Sequence, residues 1–236
     1  MVVFMNFFDM LSGNPYPGRG IALGRSADNE RAVIVYFIMG RSVNSRNRVF
    51  EATDDGIRTR AFDESKMTDP SLIIYHPVRT QSGFTIVTNG DQTDTIRDFL
   101  TAGKSFADAL RTRAFEPDGP NWTPRISGLL APDGGYRLSI LKSADGNEAC
   151  CERFFFEYDA PIAGRGHFLS TYATDGNPLP SFGGEPRRIG FGNETAAALA
   201  DRVWNALNAD NRVSLFVRTV ELSTGSADTA IINRHA

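Results

Sequence analysis

A strongly basic loop is the clearest candidate for chemistry in this sequence. The segment from Gly40 to Arg48 carries three arginines, two serines and two asparagines, and it contains no acidic residue. Guanidinium groups, hydroxyls and amides are side-chain groups that bind phosphates and carboxylates. The segment follows an apolar run, Ala32–Met39, and loops held by buried strands often carry binding sites. We therefore predict an anion site here, although a solvated surface loop could have the same composition.

A second candidate lies between a predicted strand and a predicted helix, from Thr88 to Thr95. Free backbone N–H groups at a helix N-terminus attract anions, and Asn89 adds an amide. The positions of Asp91 and Thr93 are nevertheless typical of ordinary helix capping. From the spacing alone, capping is the better interpretation.

The third candidate is the proline-rich loop from Phe115 to Ile126. Its three prolines restrict the backbone, and Glu116, Asp118 and Arg125 place two carboxylates and a guanidinium in one segment. A carboxylate in a stiff loop can act as a general base. A nearby arginine would lower the pKa of Glu116. A surface loop with incidental charges is an equally good interpretation of the composition.

Two short segments resemble each other. Pro15–Gly20 and Pro161–Gly166 both end in Gly-Arg-Gly and lead into a predicted strand. Glycine permits close approach of the backbone, so both segments could bring an arginine, Arg19 or Arg165, close to a ligand. A shared turn before a hairpin explains the likeness better than an ancient duplication.

Strands dominate the elements that must position these residues. Ile21–Leu23 and Ala32–Met39 flank the polar turn Ser26–Glu30 and predict a hairpin. The second run is apolar throughout, which indicates a strand covered on both faces. Further runs predict strands at Val49–Thr53, Leu72–His76, Phe84–Thr88, Ile126–Leu130, Tyr136–Leu141, Arg153–Tyr158, His167–Thr174 and Arg212–Leu222.

Helices are fewer. Helical periodicity covers Thr93–Ala102, which continues into Ser105–Thr112, and later Glu194–Asn208, for which Asn193 is the expected cap. This order of elements predicts an α+β layered fold. No shift in composition marks a linker, so we expect a single domain over residues 1–236.

The composition excludes several classes of protein. The 236 residues are 41% hydrophobic and 22% charged, which excludes disordered and fibrous chains. A net charge of −3 argues against a general nucleic-acid-binding surface. The longest apolar run, Ala32–Met39, is far shorter than the roughly 20 residues of a membrane helix, and no signal peptide is recognisable. Two adjacent cysteines form no disulfide framework. We therefore expect a cytoplasmic protein whose partners include neither nucleic acid nor membrane.

Metal and cofactor motifs are absent from the sequence. The three histidines show no metal-ligand spacing. No phosphate-binding loop, nucleophile elbow or dinucleotide-binding fingerprint occurs. We expect neither a metal nor a cofactor.

Five segments, taken together, resemble the inosine monophosphate (IMP) cyclohydrolase family, of the archaeal type and with its bacterial relatives. The similarity is strongest to the bacterial branch. The arginine segment lacks an aromatic-proline insertion that the archaeal branch has. In chain order, the segments are Tyr16–Gly20, Gly40–Arg48, Thr88–Asp94, Glu116–Ile126 and Gly176–Phe182.

This resemblance implies a four-layer αββα sandwich, like that of the N-terminal nucleophile hydrolases, with mostly antiparallel sheets. It also implies a cofactor-free ring closure in purine biosynthesis, in which 5-formamidoimidazole-4-carboxamide ribonucleotide loses water to give IMP. The expected partner is therefore a small purine nucleotide substrate, and we expect the chain to form a homo-oligomer.

The same resemblance implies roles for individual residues. Glu116 would be the catalytic base, and Arg41 and Asn89 would polarise the formyl group. Arg125 would orient Glu116 or the base ring. The remaining substrate contacts would be Arg19, Arg46 and Arg48 at the phosphate and ribose, together with Ser45 and Thr123.

Two other functions stay open. One is a purine-nucleotide-binding protein without catalysis, because a binding site is not itself a reaction. The other is an amide hydrolase of the same fold, which would use an N-terminal Cys, Ser or Thr as nucleophile. The chain begins Met1-Val2-Val3 and its first such residue is Ser12, which argues against the hydrolase.

Overall fold

Two antiparallel β-sheets form the framework of the protein in a computed structural model, which describes residues 6–67, 70 and 73–235. The first sheet contains β1 (Arg19–Arg25), β2 (Arg31–Met39), β10 (Arg165–Ser170), β11 (Arg187–Gly190), β12 (Arg212–Glu221) and β13 (Ala227–Asn233). Its spatial order is β11-β10-β1-β2-β12-β13. Because β12 and β13 complete the sheet begun by β1 and β2, distant parts of the chain share this sheet.

The second sheet is a meander in which consecutive strands are neighbours. Every strand pair in it is antiparallel. Its strands are β3 (Arg48–Thr53), β4 (Gly56–Ala61), β5 (Val78–Gln81), β6 (Phe84–Thr88), β7 (Arg125–Leu130), β8 (Tyr136–Ala144) and β9 (Asn147–Tyr158).

Helices lie on the outer faces of the sheets. α1 (Phe7–Ser12) and α5 (Ala196–Ala206) pack on the first sheet, while α3 (Gln92–Thr101) and α4 (Phe106–Arg111) pack on the second. A short helix, α2 (Val43–Arg46), lies within the basic loop. None of the helices in the described part of the chain has the length and apolar character that crossing a membrane requires.

Strand β2 contributes to two separate cores, as its uninterrupted apolar sequence predicted. Val35 and Phe37 pack towards α5, whereas Ile34 and Ile38 pack between the two sheets. The alternation follows from the two-residue period of a strand. All of β2 after its first residue is buried, which confirms that both faces are covered.

Most of the predicted strands are confirmed, but β9 begins six residues before the predicted Arg153, and β10 ends four residues before the predicted Thr174. The prediction for Leu72–His76 is wrong over 73–76, and Leu72 lies outside the described residues. There the irregular backbone is held by the Thr59 hydroxyl, which donates to Ile73 O and accepts from Tyr75 N. Strands β4, β5, β11 and β13 were not predicted, because they are short or polar and lack a clear apolar run.

Two details of the helices also differ from expectation. Gly103, with φ +71°, follows the C-terminus of α3 and turns the chain out of the helix. The predicted continuous helix is therefore two helices, α3 and α4. Thr195, rather than Asn193, caps α5 by accepting from Ala198 N. The Asn193 side chain instead accepts from Asp28 N and fixes the β1–β2 turn.

Several strands from both sheets begin or end at the same end of the sandwich. β1 starts with Arg19 beside the end of β2, and in the second sheet β6 ends where β7 starts. Loops from both sheets therefore lie together at this end of the sandwich. The two Gly-Arg-Gly segments lie at opposite ends of the first sheet, because β1 and β10 are antiparallel neighbours and each segment runs into the start of its strand.

We predict that the core between α5 and the first sheet contributes strongly to the stability of the protein. Leu199 in α5 is 3% exposed and packs on the first sheet, so Leu199→Ala should lower the free energy of unfolding by about 2–5 kcal/mol. The exposed Asp201→Ala on the same helix should change it by less than about 0.5 kcal/mol. Urea unfolding measures both, and similar values for the two variants would contradict the assignment of this core.

Candidate functional site

Several of the predicted site residues lie together at the end of the sandwich just described. Arg19, Arg48 and Arg125 are the first residues of β1, β3 and β7, and Asn89 directly follows β6. Antiparallel pairing aligns these strand ends, so residues far apart in the sequence meet. Glu116 joins them from the proline-rich loop before β7. The structure thus brings four of the five resemblance segments to one buried cluster.

Arg48 is the most unusual member of this cluster. Its side chain is completely buried, and its Nε donates to Ser45 O at 2.9 Å. Both terminal nitrogens, Nη1 and Nη2, are buried and have no hydrogen-bond partner. Burial, and then the charge of Arg19, lower the pKa of Arg48 from its usual value. Buried donors without partners are rare in proteins, so these two nitrogens point to an acceptor supplied by a ligand.

Arg19 and Glu116 form the buried ion pair of the site. Arg19 Nη2 lies 3.9 Å from Glu116 Oε2, while the Arg19 Nε has no partner. Burial opposes the charge of Arg19, but Glu116 outweighs this effect with the help of nearby tyrosines, so the pKa of Arg19 is raised. The pair therefore keeps Arg19 charged.

The structure corrects the expected pKa of Glu116. The pKa of this carboxyl is raised, because burial penalises its charge more than Arg19 and Arg125 stabilise it. At 2% exposure Glu116 is shielded from water, which could not be read from the charge pattern of its loop. A carboxylate with a raised pKa is a stronger base.

A chain of hydrogen bonds holds the Glu116 loop in place. The Glu116 N–H donates to Thr123 O at 2.9 Å, and the Thr123 hydroxyl contacts Tyr172 OH at 2.6 Å. The same hydroxyl donates to Asp118, which also accepts from Thr123 N. Thr123 is thereby fully engaged in positioning the loop.

Four tyrosines that sequence reasoning missed surround the cations. Tyr36 OH and Tyr75 OH lie 2.9 Å apart in the buried interior, and both affect the pKa of Arg48. On the other side, Tyr16 stacks on Tyr172 with ring centroids 6.0 Å apart. Tyr36 sits in a run that is otherwise apolar, so its sequence signal is that of a core residue.

Asn89 and Arg125 hold the loops that carry the site. Asn89 Oδ1 accepts from Ile126 N at 2.8 Å and its Nδ2 donates to Pro124 O at 2.9 Å. Arg125 Nη1 contacts Gln92 Oε1 and Asp91 Oδ1, each at 2.7 Å. Asp91 makes no cap to α3, contrary to the capping interpretation.

The remaining predicted residues lie in the basic loop. Arg41 is exposed, and its Nη1 donates to Asp175 Oδ1 at 2.5 Å and to Gly176 O at 3.0 Å. Arg46 donates to Gly40 O and Asn211 Oδ1, which ties the loop to the first sheet. Ser45 closes the capping box of α2. These three residues form the rim, outside the buried cations.

No group of three or more His, Cys, Asp or Glu residues in the described part of the chain could hold a metal ion. The charges of the buried cluster come instead from Arg19, Arg48, Arg125 and Glu116. This arrangement can bind an anion, polarise a carbonyl oxygen and accept a proton.

Comparisons with known proteins identify relatives of the chain. Residues 16–225 match the family described as "IMP cyclohydrolase-like protein". The IMP cyclohydrolase of Halobacterium salinarum is 28% identical over 222 residues, which cover 92% of this chain and 98% of that protein. The IMP cyclohydrolase of Methanococcus maripaludis is 30% identical over 162 residues, covering 66% of this chain and 74% of the relative. That of Methanothrix thermoacetophila is 34% identical over 123 residues, covering 49% and 58%.

The raised pKa of Glu116 predicts how stability depends on pH. The folded chain binds this proton more tightly than the unfolded chain, so Glu116 reduces stability as the pH rises above its ordinary value of 4.5. Glu116→Gln mimics the protonated form. We expect it to raise the melting temperature at pH 7, by about 2–4 °C per kcal/mol gained, and to have no such effect at pH 4. Thermal unfolding across this range measures the difference, and a lower melting temperature at pH 7 would contradict it.

Proposed function

Because the chain belongs to the family of IMP cyclohydrolase-like proteins, we propose that it catalyses the ring closure of 5-formamidoimidazole-4-carboxamide ribonucleotide to IMP and water. Its named relatives are IMP cyclohydrolases, and one of them aligns along 92% of this chain. The observation that carries the proposal is the buried cluster of three arginines (Arg19, Arg48 and Arg125) and one carboxylate (Glu116) at the family's motif positions.

This reaction asks for little beyond positioning and proton transfer. The carboxamide nitrogen attacks the formyl carbon of the same molecule, so much of the entropic barrier is absent. A C–N bond forms, and the electron pair of the formyl C=O moves onto oxygen. That oxygen then leaves as water with two protons, one from the carboxamide nitrogen and one from the formamido nitrogen.

In this proposal Glu116 takes the proton from the carboxamide nitrogen as the C–N bond forms. An amide N–H is a far weaker acid than a carboxylic acid, so the transfer must accompany the attack. Burial supports the role, because a raised pKa makes the carboxylate more basic. The adjacent Arg19 would stabilise the negative charge that develops on the formyl oxygen.

We assign the phosphate to Arg48 rather than to Arg19. A phosphate next to Arg19 would place its charge beside Glu116, which lies 3.9 Å away, and would oppose deprotonated Glu116. Arg48 has two unpaired terminal nitrogens, which match two oxygens of a phosphate. The phosphate end would therefore reach Arg48, and the reacting end would face Arg19 and Glu116.

The other motif residues serve this site mainly by position. Asn89 and Arg125 make bonds that fix the start of β7, and Thr123 fixes the Glu116 loop. Ser45 holds Arg48 through its backbone carbonyl. Roles of Arg41 and Asn89 as polarisers of the formyl group stay predictions, as does a ribose contact of Arg46.

Several further properties belong to the same proposal. Helices on the outer faces of two stacked sheets support the four-layer αββα arrangement of the N-terminal nucleophile hydrolases. A single domain over residues 1–236 is supported by the shared first sheet. A homo-oligomer in the cytoplasm stays a prediction, and light scattering of the purified protein tests the oligomer.

A direct assay separates the proposed function from its alternatives. Purified protein is mixed with the formylated ribonucleotide, and ring closure is followed by ultraviolet absorbance. Turnover supports the cyclohydrolase, while binding without turnover would support a nucleotide-binding protein. An amide hydrolase would release formate instead, so formate is measured in the same samples.

We predict that Glu116→Gln lowers kcat by about 10²–10⁴, the range for loss of a general base, with nucleotide binding nearly unchanged. The control is Glu157→Gln on β9, an exposed residue whose ion pair among the described residues is with Arg137, and this variant should leave kcat within about twofold. If Glu116 instead only holds Arg19, the variant should raise KM more than it lowers kcat. A kcat close to wild type would remove Glu116 from the mechanism.

The variant Arg48→Met tests the assignment of the phosphate to Arg48. IMP binding should weaken by about 1.5–3 kcal/mol, the value of a hydrogen bond to a charged group. Inosine binding should change much less. Stability should be kept or improved, since a buried charge without a partner is costly and methionine packs well. Calorimetry measures both ligands, and equal losses for IMP and inosine would show that Arg48 does not contact the phosphate.

A further inference from the structure

A cavity lies at the other end of the space between the sheets, away from the Glu116 cluster. It has a volume of about 340 Å³ and is lined by Ile162, Arg165, Gly166, His167, Arg188 and Ile189. His167 pairs with Leu23 of β1, four residues beyond Arg19, which is roughly 13 Å along the strand. The cavity is therefore separate from the cluster around Glu116. Its volume is within the usual range for small-molecule sites.

The His167 ring, which lines the cavity, is held in place by two tyrosines. His167 and Tyr158 are stacked with centroids 3.9 Å apart, and His167 Nδ1 hydrogen-bonds with Tyr136 OH at 2.7 Å. Burial, and then the nearby Arg188, lower the pKa of His167 to about 4, so its ring is neutral at pH 7. These contacts fix a flat, uncharged surface that joins β10 to the second sheet.

The cavity is positively charged despite the neutral histidine. Arg188 lies opposite His167 in the β10–β11 register, so both side chains are on the same face. It makes no hydrogen bond or ion pair among the described residues, and none of the residues that line the cavity is acidic. An accessible guanidinium beside a flat ring is thus available to an anion.

An exposed apolar side chain completes the cavity. Ile162 is 70% exposed, although it belongs to the group of large hydrophobic residues that proteins usually bury. A ligand with an apolar body would cover it.

We propose that this cavity binds a small aromatic or heterocyclic anion, whose carboxylate or phosphate pairs with Arg188 and whose ring packs against Ile162 and His167. This class of ligand matches both features of the cavity, which are the guanidinium of Arg188 and the apolar surface beside it. An inorganic anion would use only the first feature. A neutral ring would use only the second.

Titrations followed by NMR test this site. The imidazole signal of His167, assigned among the three histidines of the chain with the variant His167→Gln, reports on the cavity. The probes are benzoate, adenosine monophosphate and inorganic phosphate. We expect a saturable shift with at least one of the two aromatic anions and a weaker response to inorganic phosphate. A response to benzoate alone identifies a carboxylate ligand, and a response to adenosine monophosphate alone identifies a phosphate ester.

A matched pair of variants tests the role of the arginine. Arg188→Gln should weaken the binding of the responding probe by about five- to tenfold, as expected for loss of a partly exposed charged contact. Arg187→Gln is the control, because this neighbouring residue is also exposed but lies over the ring of Phe182. Equal weakening in the two variants, or no saturable shift with any probe, would overturn the proposal, as would equal affinity for inorganic phosphate.

Independence from the proposed cyclohydrolase site is tested with Arg48→Met. The probe response of His167 should be retained in this variant whether or not ring closure is observed. If the response disappears together with Arg48, the probe acts from the first site and the second site is refuted. Failure of the cyclohydrolase assay would leave the NMR result unaffected.

Discussion

The burial of Arg48 without a partner is the constraint on which the arrangement of the site depends. A guanidinium removed from water, with two terminal nitrogens unpaired, is unfavourable by itself. It persists only because the folding of two large sheets stabilises the chain by far more than this one group costs. The same isolation from water strengthens any contact that a ligand makes with it. In the proposed function, the lost stability is offset by a contact prepared for an anion, and Glu116, buried beside Arg19, is likewise unfavourable for stability.

Precise placement of these charges requires the loops to be fixed, and the motif residues do much of this work. Asn89 bonds to the backbone on either side of Arg125, and Thr123 bonds to the Glu116 loop on one side and to Tyr172 on the other. Polar residues near a reaction centre are easily taken for substrate contacts. Here the hydrogen bonds of Asn89 are directed at the backbone, and the Thr123 hydroxyl bonds to Asp118 and Tyr172, so both residues hold the loops that carry Arg125 and Glu116.

Sequence reasoning predicted the strands better than it predicted the electrostatics. β2 and β6 were recognised because their apolar character reflects burial directly. The pKa of Glu116 was predicted in the wrong direction, because charge spacing shows the neighbouring arginine but not the depth of burial, which depends on both sheets. Tyr36 and Tyr75 were missed for the same reason. Whether a tyrosine belongs to the core or to a site depends on what its hydroxyl meets, and here the two hydroxyls meet each other across the sheets.

The two ends of the space between the sheets show how one architecture supports different electrostatics. At the first end, a buried carboxylate sits between cations, so proton transfer and anion binding can occur together. At the other end, the ring beside Arg188 is a neutral histidine, and no acid lines the cavity, so only binding chemistry is present. The net charge of −3 gives no sign of either end. Local potential is set by which charges are buried together, and a negatively charged chain can therefore offer cationic sites to anionic ligands.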